Sequence, residues 1–199
     1  FDEDFLGHKI PLPTLSSAMK AQTVVVPPEY RRRNDKYVLD YHHYSLAMHK
    51  ERGFAWYSAA IIDGDRRFKF DRGKDKWFID PRIDDISTPE FQCGEELYAT
   101  AETDRGHLTR YLDVAWGDSI DEAKKATYDT FHFTNCCLQL SGFNQGKSRW
   151  QGIEQFLLEK KARKERRRII VFTGPVFAET DPMYRNEHMD YFVPIPIRF

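Results

Sequence analysis

The chain has 199 residues, 31 % of them charged, with 30 Lys and Arg against 31 Asp and Glu. A chain of that length is expected to fold as one domain with a sizeable core, and the near-even balance excludes a protein that meets polyanions through whole-chain charge. The three cysteines are an odd number, and adjacent Cys136 and Cys137 would point to opposite faces of a strand, which argues against a disulfide scaffold.

No apolar run is long enough to cross a bilayer as a helix, no zinc-ligand spacing is present, and no signal peptide opens the sequence. The first residue is Phe rather than Met, which predicts a processed product or a domain excised from a longer protein. The compartment is left open, the cytoplasm being favoured over secretion or an organelle.

Residues 1–36 carry Pro11, Pro13, Pro27 and Pro28 around a Val24-Val25-Val26 run and end in Arg31-Arg32-Arg33. This reads as a wrapping arm of the same domain with little regular structure, its arginines either solvated or in contact with nucleic acid. The main domain is expected over 37–199. Tyr44 to His49 and Phe54 to Ile62 read as two strands of a central sheet joined at Lys50-Glu51-Arg52-Gly53. His42, His43 and His49 lack partner ligands at a local spacing, so a metal site there is disfavoured. A charged stretch from Arg66 to Lys76 ends at Trp77, and Asp80-Pro81-Arg82-Ile83 follows as an extended segment with a turn, in which Arg82 could be a structural ion-pair former.

Asp104-Arg105-Gly106-His107 packs a carboxylate, a guanidinium, a glycine and an imidazole into consecutive positions. Glycine permits a sharp turn or a close approach to a ligand, histidine suits proton transfer near neutrality, and arginine matches phosphate oxygens. The same residues could form a plain polar turn. Ser119 with Glu122 is a capping box, predicting a helix through Tyr128 with Ile120, Ala123 and Thr127 on its apolar side. Thr130 to Gln139 alternates as a strand should. Asn144-Gln145-Gly146 then turns into a helix from about Ser148 to Lys164, with Trp150, Ile153, Phe156, Leu157 and Leu158 as its apolar arc. Glu154 falls inside that arc, where an ionised carboxylate needs a cation, either a hydrated metal or an arginine. The basic run from Lys147 to Arg168 is either a phosphate-tracking stripe or a solvated helix end. Arg168 to Phe172 reads as a strand in a sheet interior, and Tyr191 to Pro196 as an edge strand.

Taken in order, Asp104-Arg105-Gly106-His107, Thr130 to Gln139, Phe143-Asn144-Gln145-Gly146 and Trp150 to Glu154 resemble the DNA/RNA non-specific endonuclease family. Further matches run through most of the chain, from Phe5-Leu6-Gly7 to Phe172-Thr173-Gly174-Pro175. The resemblance implies an α+β fold, a ββα-metal (His-Me finger) nuclease core with a central, mainly antiparallel sheet flanked by helices. It also implies cleavage of DNA and RNA, double- and single-stranded, bound through backbone phosphates, to 5′-phosphate products.

By the same resemblance His107 is the general base, Asn144 holds one Mg2+ (Mn2+ being a substitute) and Glu154 holds metal-bound water. Arg105 clamps phosphate or stabilises the transition state, Asp104 orients its neighbours, Asn135 fixes the geometry around His107 and stands with Arg110 among the substrate-contacting groups. Family members place an arginine a little before the position of Trp77; here Arg72 and Lys74 are both candidates, a departure that puts the phosphate clamp in question. A homodimer and additional domains are further implications, and the family pattern continues beyond the present C-terminus. A nucleic-acid-binding module that keeps the fold without catalysis is the alternative.

Overall fold

A computed structural model of the chain describes its residues except 71, 72, 74, 75, 88, 101, 102 and 145–149, and gives the backbone alone at 140, 142 and 143. In chain order the elements are α1 (Ser17–Ala21), β1 (Leu39–Asp40), β2 (Tyr44–Met48), β3 (Ala55–Asp63), β4 (Thr103–His107), α2 (Ile120–Asp129), β5 (Cys136–Leu140), α3 (Ser141–Asn144), α4 (Trp150–Gln155), β6 (Arg168–Thr173), β7 (Met183–Tyr184) and β8 (Val193–Pro194). Helix α4 runs on as a π-helix over Phe156–Lys164.

The largest sheet has the order β1-β2-β3-β6, antiparallel throughout, and β4 with β5 forms a separate antiparallel ribbon. The β2–β3 hairpin falls where its aromatic and β-branched residues predict it. Its turn needs Gly53, which sits at φ 68° and lies so close to Cys93 that a Cβ would overlap the Cys93 thiol. The neighbouring Arg52 ties this turn to the C-terminal segment, donating to Asp181 Oδ2 and to the Ala178 carbonyl, each at 2.8 Å.

Alternation along β3 sends its side chains to the two faces of the sheet. Ala60 joins Tyr44, Leu46 and Met48 in the main core, together with Leu108, Ala126, Phe133, Cys136 and Leu138 from the elements around the ribbon. Tyr57 and Ala59 point the other way and pack with Leu15, while Ile61 packs with Phe5 and Trp116. The first residues thus pack against the second face of the sheet through Phe5 and Leu15. Two arginines of residues 1–36 are structural: Arg31 donates to the Val26 carbonyl at 2.7 Å, and Arg33 pairs with buried Asp40, Nε to Oδ2 at 2.9 Å. Arg82 is likewise a structural ion-pair former, gripping fully buried Asp80 and donating to the Asp40 carbonyl at 2.8 Å.

Several expectations need correction. Strand β6 lies at the end of the four-strand order, not in its interior. Its apolar run meets partial cover on both faces, Ile169 and Val171 against Leu158 and Ala162, and Ile170 against Phe5 and Ile61, while Phe172 is exposed. Thr130 to Gln139 is a strand only from Cys136 onward. Thr130 and Phe131 instead bond back to Thr127 and Tyr128 at the end of α2, and Phe133–Asn135 is a 3-10 turn. The Ser119 cap is present, its hydroxyl accepting from Glu122 N at 3.1 Å, but Ala126 replaces exposed Ile120 on the buried side of α2. The predicted edge strand shrinks to β8, which pairs with β7.

On the long helix the buried positions are Leu158 and Ala162, whereas Ile153 and Phe156 are exposed. Ile153 lies in the α-helical part and Phe156 opens the π-wound part, where a projection at the α-helical angle no longer holds. His42 and His43 bond to Asp129 and the Trp116 carbonyl, and His49 stacks on Trp56, with no cluster of metal-ligating side chains among the described residues. All three cysteines are free and buried.

Candidate active site

The Asp104-Arg105-Gly106-His107 sequence forms most of strand β4, paired in register with β5: Asp104 opposite Gln139, Gly106 opposite Cys137, His107 opposite Cys136. The glycine is therefore not at a turn. It serves close packing, because a Cβ there would collide with the side chain of Gln139, which is 2 % exposed and whose carboxamide has no hydrogen-bond partner among the described residues. Gly106→Ala is expected to cost about 1–3 kcal/mol through overpacking, measurable as a lower urea midpoint at unchanged slope.

Strand alternation places Arg105 and His107 on one side of the ribbon and Asp104 on the other. The imidazole lies against Trp77, with ring centroids 4.7 Å apart, and edge-on to Phe131 at 5.2 Å. Both aromatic residues belong to segments that the motif pattern singles out, but their role as walls for His107 has no one-dimensional signature. The bridge between Phe78 and His132 brings them together.

The backbone just beyond His107 is held by Asn135. Its main-chain oxygen accepts from Leu108 N at 3.0 Å, its Oδ1 accepts from Thr109 N at 2.9 Å, and its Nδ2 donates to the carbonyls of Thr109 and Thr130 at 2.8 and 3.0 Å. Asn135 is 0 % exposed with its carboxamide committed internally, so it fixes local geometry and is not available to contact substrate.

Asn144 ends α3, where Asp104 reaches it across the ribbon. Asp104 accepts from Ser141 Oγ at 3.1 Å and from Asn144 Nδ2 at 2.9 Å. A carboxylate can only accept, so the Asn144 amide must present its nitrogen to Asp104, which leaves its carbonyl oxygen for another partner.

Arg105, His107, Arg110, Tyr111, Asn144, Gln151 and Glu154 line a single open cleft of about 360 Å³. Five of these seven are sequence-predicted site residues; Tyr111 and Gln151 add to them, and Asp104 stands behind. Arg72 and Lys74 lie outside the described residues. Arg105 pairs with Glu95, and its guanidinium lies 5.6 Å from the Tyr98 ring centre, yet its Nε is buried without an acceptor among the described residues, as is Nη1 of Arg110. Buried guanidinium donors lacking a protein partner are costly, and an anionic substrate oxygen would satisfy them.

Burial pushes the Glu154 carboxyl above its ordinary pKa, with the positive charge of Arg110 opposing that shift. The basic run beyond it is not a bare stripe. Arg163 pairs with Glu159 at 2.7 Å, Lys161 with Glu165 at 3.1 Å and Arg168 with Asp63 at 3.3 Å.

Behind the cleft, burial drives the Asp113 carboxyl from 3.8 up to about 7, the charge of Arg110 opposing and that of Glu154 adding to the rise. Folding then takes up a proton between those two values. The stability this group contributes is fully present below its unfolded pKa and lost as pH rises through about 7. His43 and His49, both lowered to about 4 by burial, act with the opposite sign, their contribution being lost as pH falls from 6.5. The difference between parent and Asp113→Asn isolates the carboxyl. That variant is expected to gain stability on the order of a few kcal/mol at pH 8 relative to pH 5, read from urea melts at both values.

The donors fit a hard, hydrated divalent cation. The amide oxygen of Asn144 and the carboxylate of Glu154 line the same cleft, an all-oxygen donor pair of the kind that suits an ion keeping most of its water.

An antiparallel ribbon carrying histidine, followed by a helix carrying asparagine and another carrying glutamate, defines an EndoG-like nuclease fold. The family model for DNA/RNA non-specific endonuclease matches residues 22–199, and the chain belongs to that family. It is 42 % identical over 194 residues to a Sinorhizobium fredii protein named "Uncharacterized protein y4fB", covering 94 % of this chain but only 28 % of that one. Among solved structures it is similar to the crystal structure of the EndoG/EndoGI complex, with a TM-score of 0.60 at 18 % identity, covering 93 % of this chain and 71 % of the other. A fold kept at such low identity explains how a motif-level resemblance in sequence corresponds to a shared architecture. The non-catalytic alternative finds no support in these comparisons.

Proposed function

We propose that this chain is a metal-dependent endonuclease that hydrolyses phosphodiester bonds in DNA and RNA with weak sequence selectivity, leaving 5′-phosphate ends. The convergence of Arg105, His107, Arg110, Asn144 and Glu154 on one cleft carries this reading. His107 takes a proton from the attacking water. The aromatic walls of Trp77 and Phe131 limit the rotation of its ring, which keeps the accepting nitrogen on the line of attack. Arg105 and Arg110 direct unsatisfied donors at the phosphate oxygens, where charge grows in the transition state.

Asn144 and Glu154 would hold the divalent cation, Glu154 through water, and Asp104 fixes the Asn144 amide so that its oxygen faces that position. The cation, Mg2+ with Mn2+ as a substitute, would offset charge developing on the leaving 3′ oxygen. Because these contacts go to the backbone and not to base edges, affinity should fall steeply with salt.

The test is incubation with supercoiled plasmid and with single-stranded RNA, with Mg2+ and with EDTA. Cleavage of both that is abolished by EDTA is the expected result, with nicks that a ligase seals without kinase treatment. Shifted but intact bands would overturn the catalytic reading, and release of inorganic phosphate with internal linkages spared would point to a phosphomonoesterase.

A further inference from the structure

A second cleft, of about 650 Å³, adjoins the first along Tyr111, a residue that lines both. Its walls are the bend after β3 at Gly64 and Asp65, the segment from Arg67 to Phe70, Leu112 with Ala115, and the far end of the long helix. Four cations, Arg67, Lys69, Arg163 and Arg166, face it against two carboxylates, Asp65 and Glu159. The pairs Arg163–Glu159 and Arg166–Asp65 are solvent-exposed, the latter at 3.6 Å. Such pairs are worth little and exchange readily for another anion.

Arg67 is different. Its backbone is pinned by a bridge to Trp116 and by Phe68 N donating to the Ala115 carbonyl at 2.9 Å. One guanidinium nitrogen, Nη2, donates to the Leu112 carbonyl at 2.7 Å, while Nη1 is buried with no acceptor among the described residues. Burial, with some help from Arg163 and Arg110, pulls the guanidinium below its ordinary pKa despite the charges of Asp113 and Glu159. Propping Leu112 needs one donor only; a half-buried guanidinium with a second, buried donor left over costs more than that role returns. Phe68 and Phe70 add aromatic surface to the same walls, the combination that suits a nucleic-acid strand.

We propose that this cleft is a subsite for a backbone phosphate of the bound strand beyond the one cleaved, with Arg67, Lys69 and Arg163 as its cationic contacts. The inference rests on the endonuclease reading for the identity of its ligand.

The test measures binding of a fluorescein-labelled oligothymidylate strand to the full chain in EDTA, as anisotropy across a salt series. Lys69→Ala and Arg163→Ala are each expected to weaken binding about threefold to tenfold and to make the slope of log affinity against log salt shallower by roughly 0.7 for every phosphate no longer neutralised. Arg67→Gln, which keeps a donor for the Leu112 carbonyl, should do the same. If it does not fold, the two exposed positions decide. Lys9→Ala, in the N-terminal segment and in the lining of neither cleft, serves as the control for non-specific charge loss and should match the parent.

Variants that bind with the parent's slope, in a chain that cleaves plasmid, would overturn the subsite alone. A parent that binds but does not cleave, with binding lost in the variants, would support the subsite while removing the endonuclease reading. A parent that cleaves plasmid but does not bind the strand overturns the subsite alone, and a parent that does neither removes both.

Discussion

His107→Ala is expected to lower plasmid turnover by roughly 10²–10⁴ or more, as loss of a general base does, while binding of an oligonucleotide in EDTA stays near the parent value. The geometry explains why these two quantities separate. The guanidinium donors of Arg105 and Arg110 would remain, and the backbone at position 107 stays paired with Cys136 and followed by the Leu108 bond to Asn135. What disappears is a ring seated between Trp77 and Phe131. Its removal leaves a ring-sized space, so added imidazole is expected to restore part of the rate. A purely structural role for His107 would show instead as a lower urea midpoint with no rescue. Cleavage at the parent's rate would take His107 out of the mechanism.

The endonuclease signature is readable in the sequence because the residues carrying it are short, local and chemically unusual together. Strand β3 and the Ser119 cap are also legible, each being set by local alternation or capping. Other features depend on partners far away in the chain. Gly106 reads as a turn residue, since nothing in its neighbours announces Gln139 on the opposing strand. Asn135 reads as a polar group that could face substrate, yet its four-way commitment to Leu108, Thr109 and Thr130 exists only after the chain has folded back. Strand β6 reads as interior because hydropathy registers burial of faces and is blind to whether a strand edge is paired. Arg67 is inconspicuous within a charged stretch. Its burial follows from the bridge to Trp116, which no spacing rule encodes.

A graded loss is expected at the asparagine. Asn144→Ala removes the amide oxygen available for the cation, so the Mg2+ concentration supporting half-maximal plasmid cleavage should rise beyond measurable range and turnover should collapse with it. Asp104→Asn acts one step further out. Asp104 holds Asn144 because a carboxylate accepts from Nδ2 at 2.9 Å and can do nothing else; an amide in its place accepts or donates equally well, so Asn144 becomes free to turn its oxygen inward. Loss of such an outer partner typically costs 10–100-fold in metal affinity, and a shift of about that size in the Mg2+ dependence is expected, with turnover at saturating Mg2+ less affected. Calorimetric titration with Mn2+ gives the same ranking without relying on activity. An Asn144→Ala variant with the parent's Mg2+ response would place the ligand elsewhere. A silent Asp104→Asn would mean that the fold of α3, and not this hydrogen bond, sets the direction of the amide.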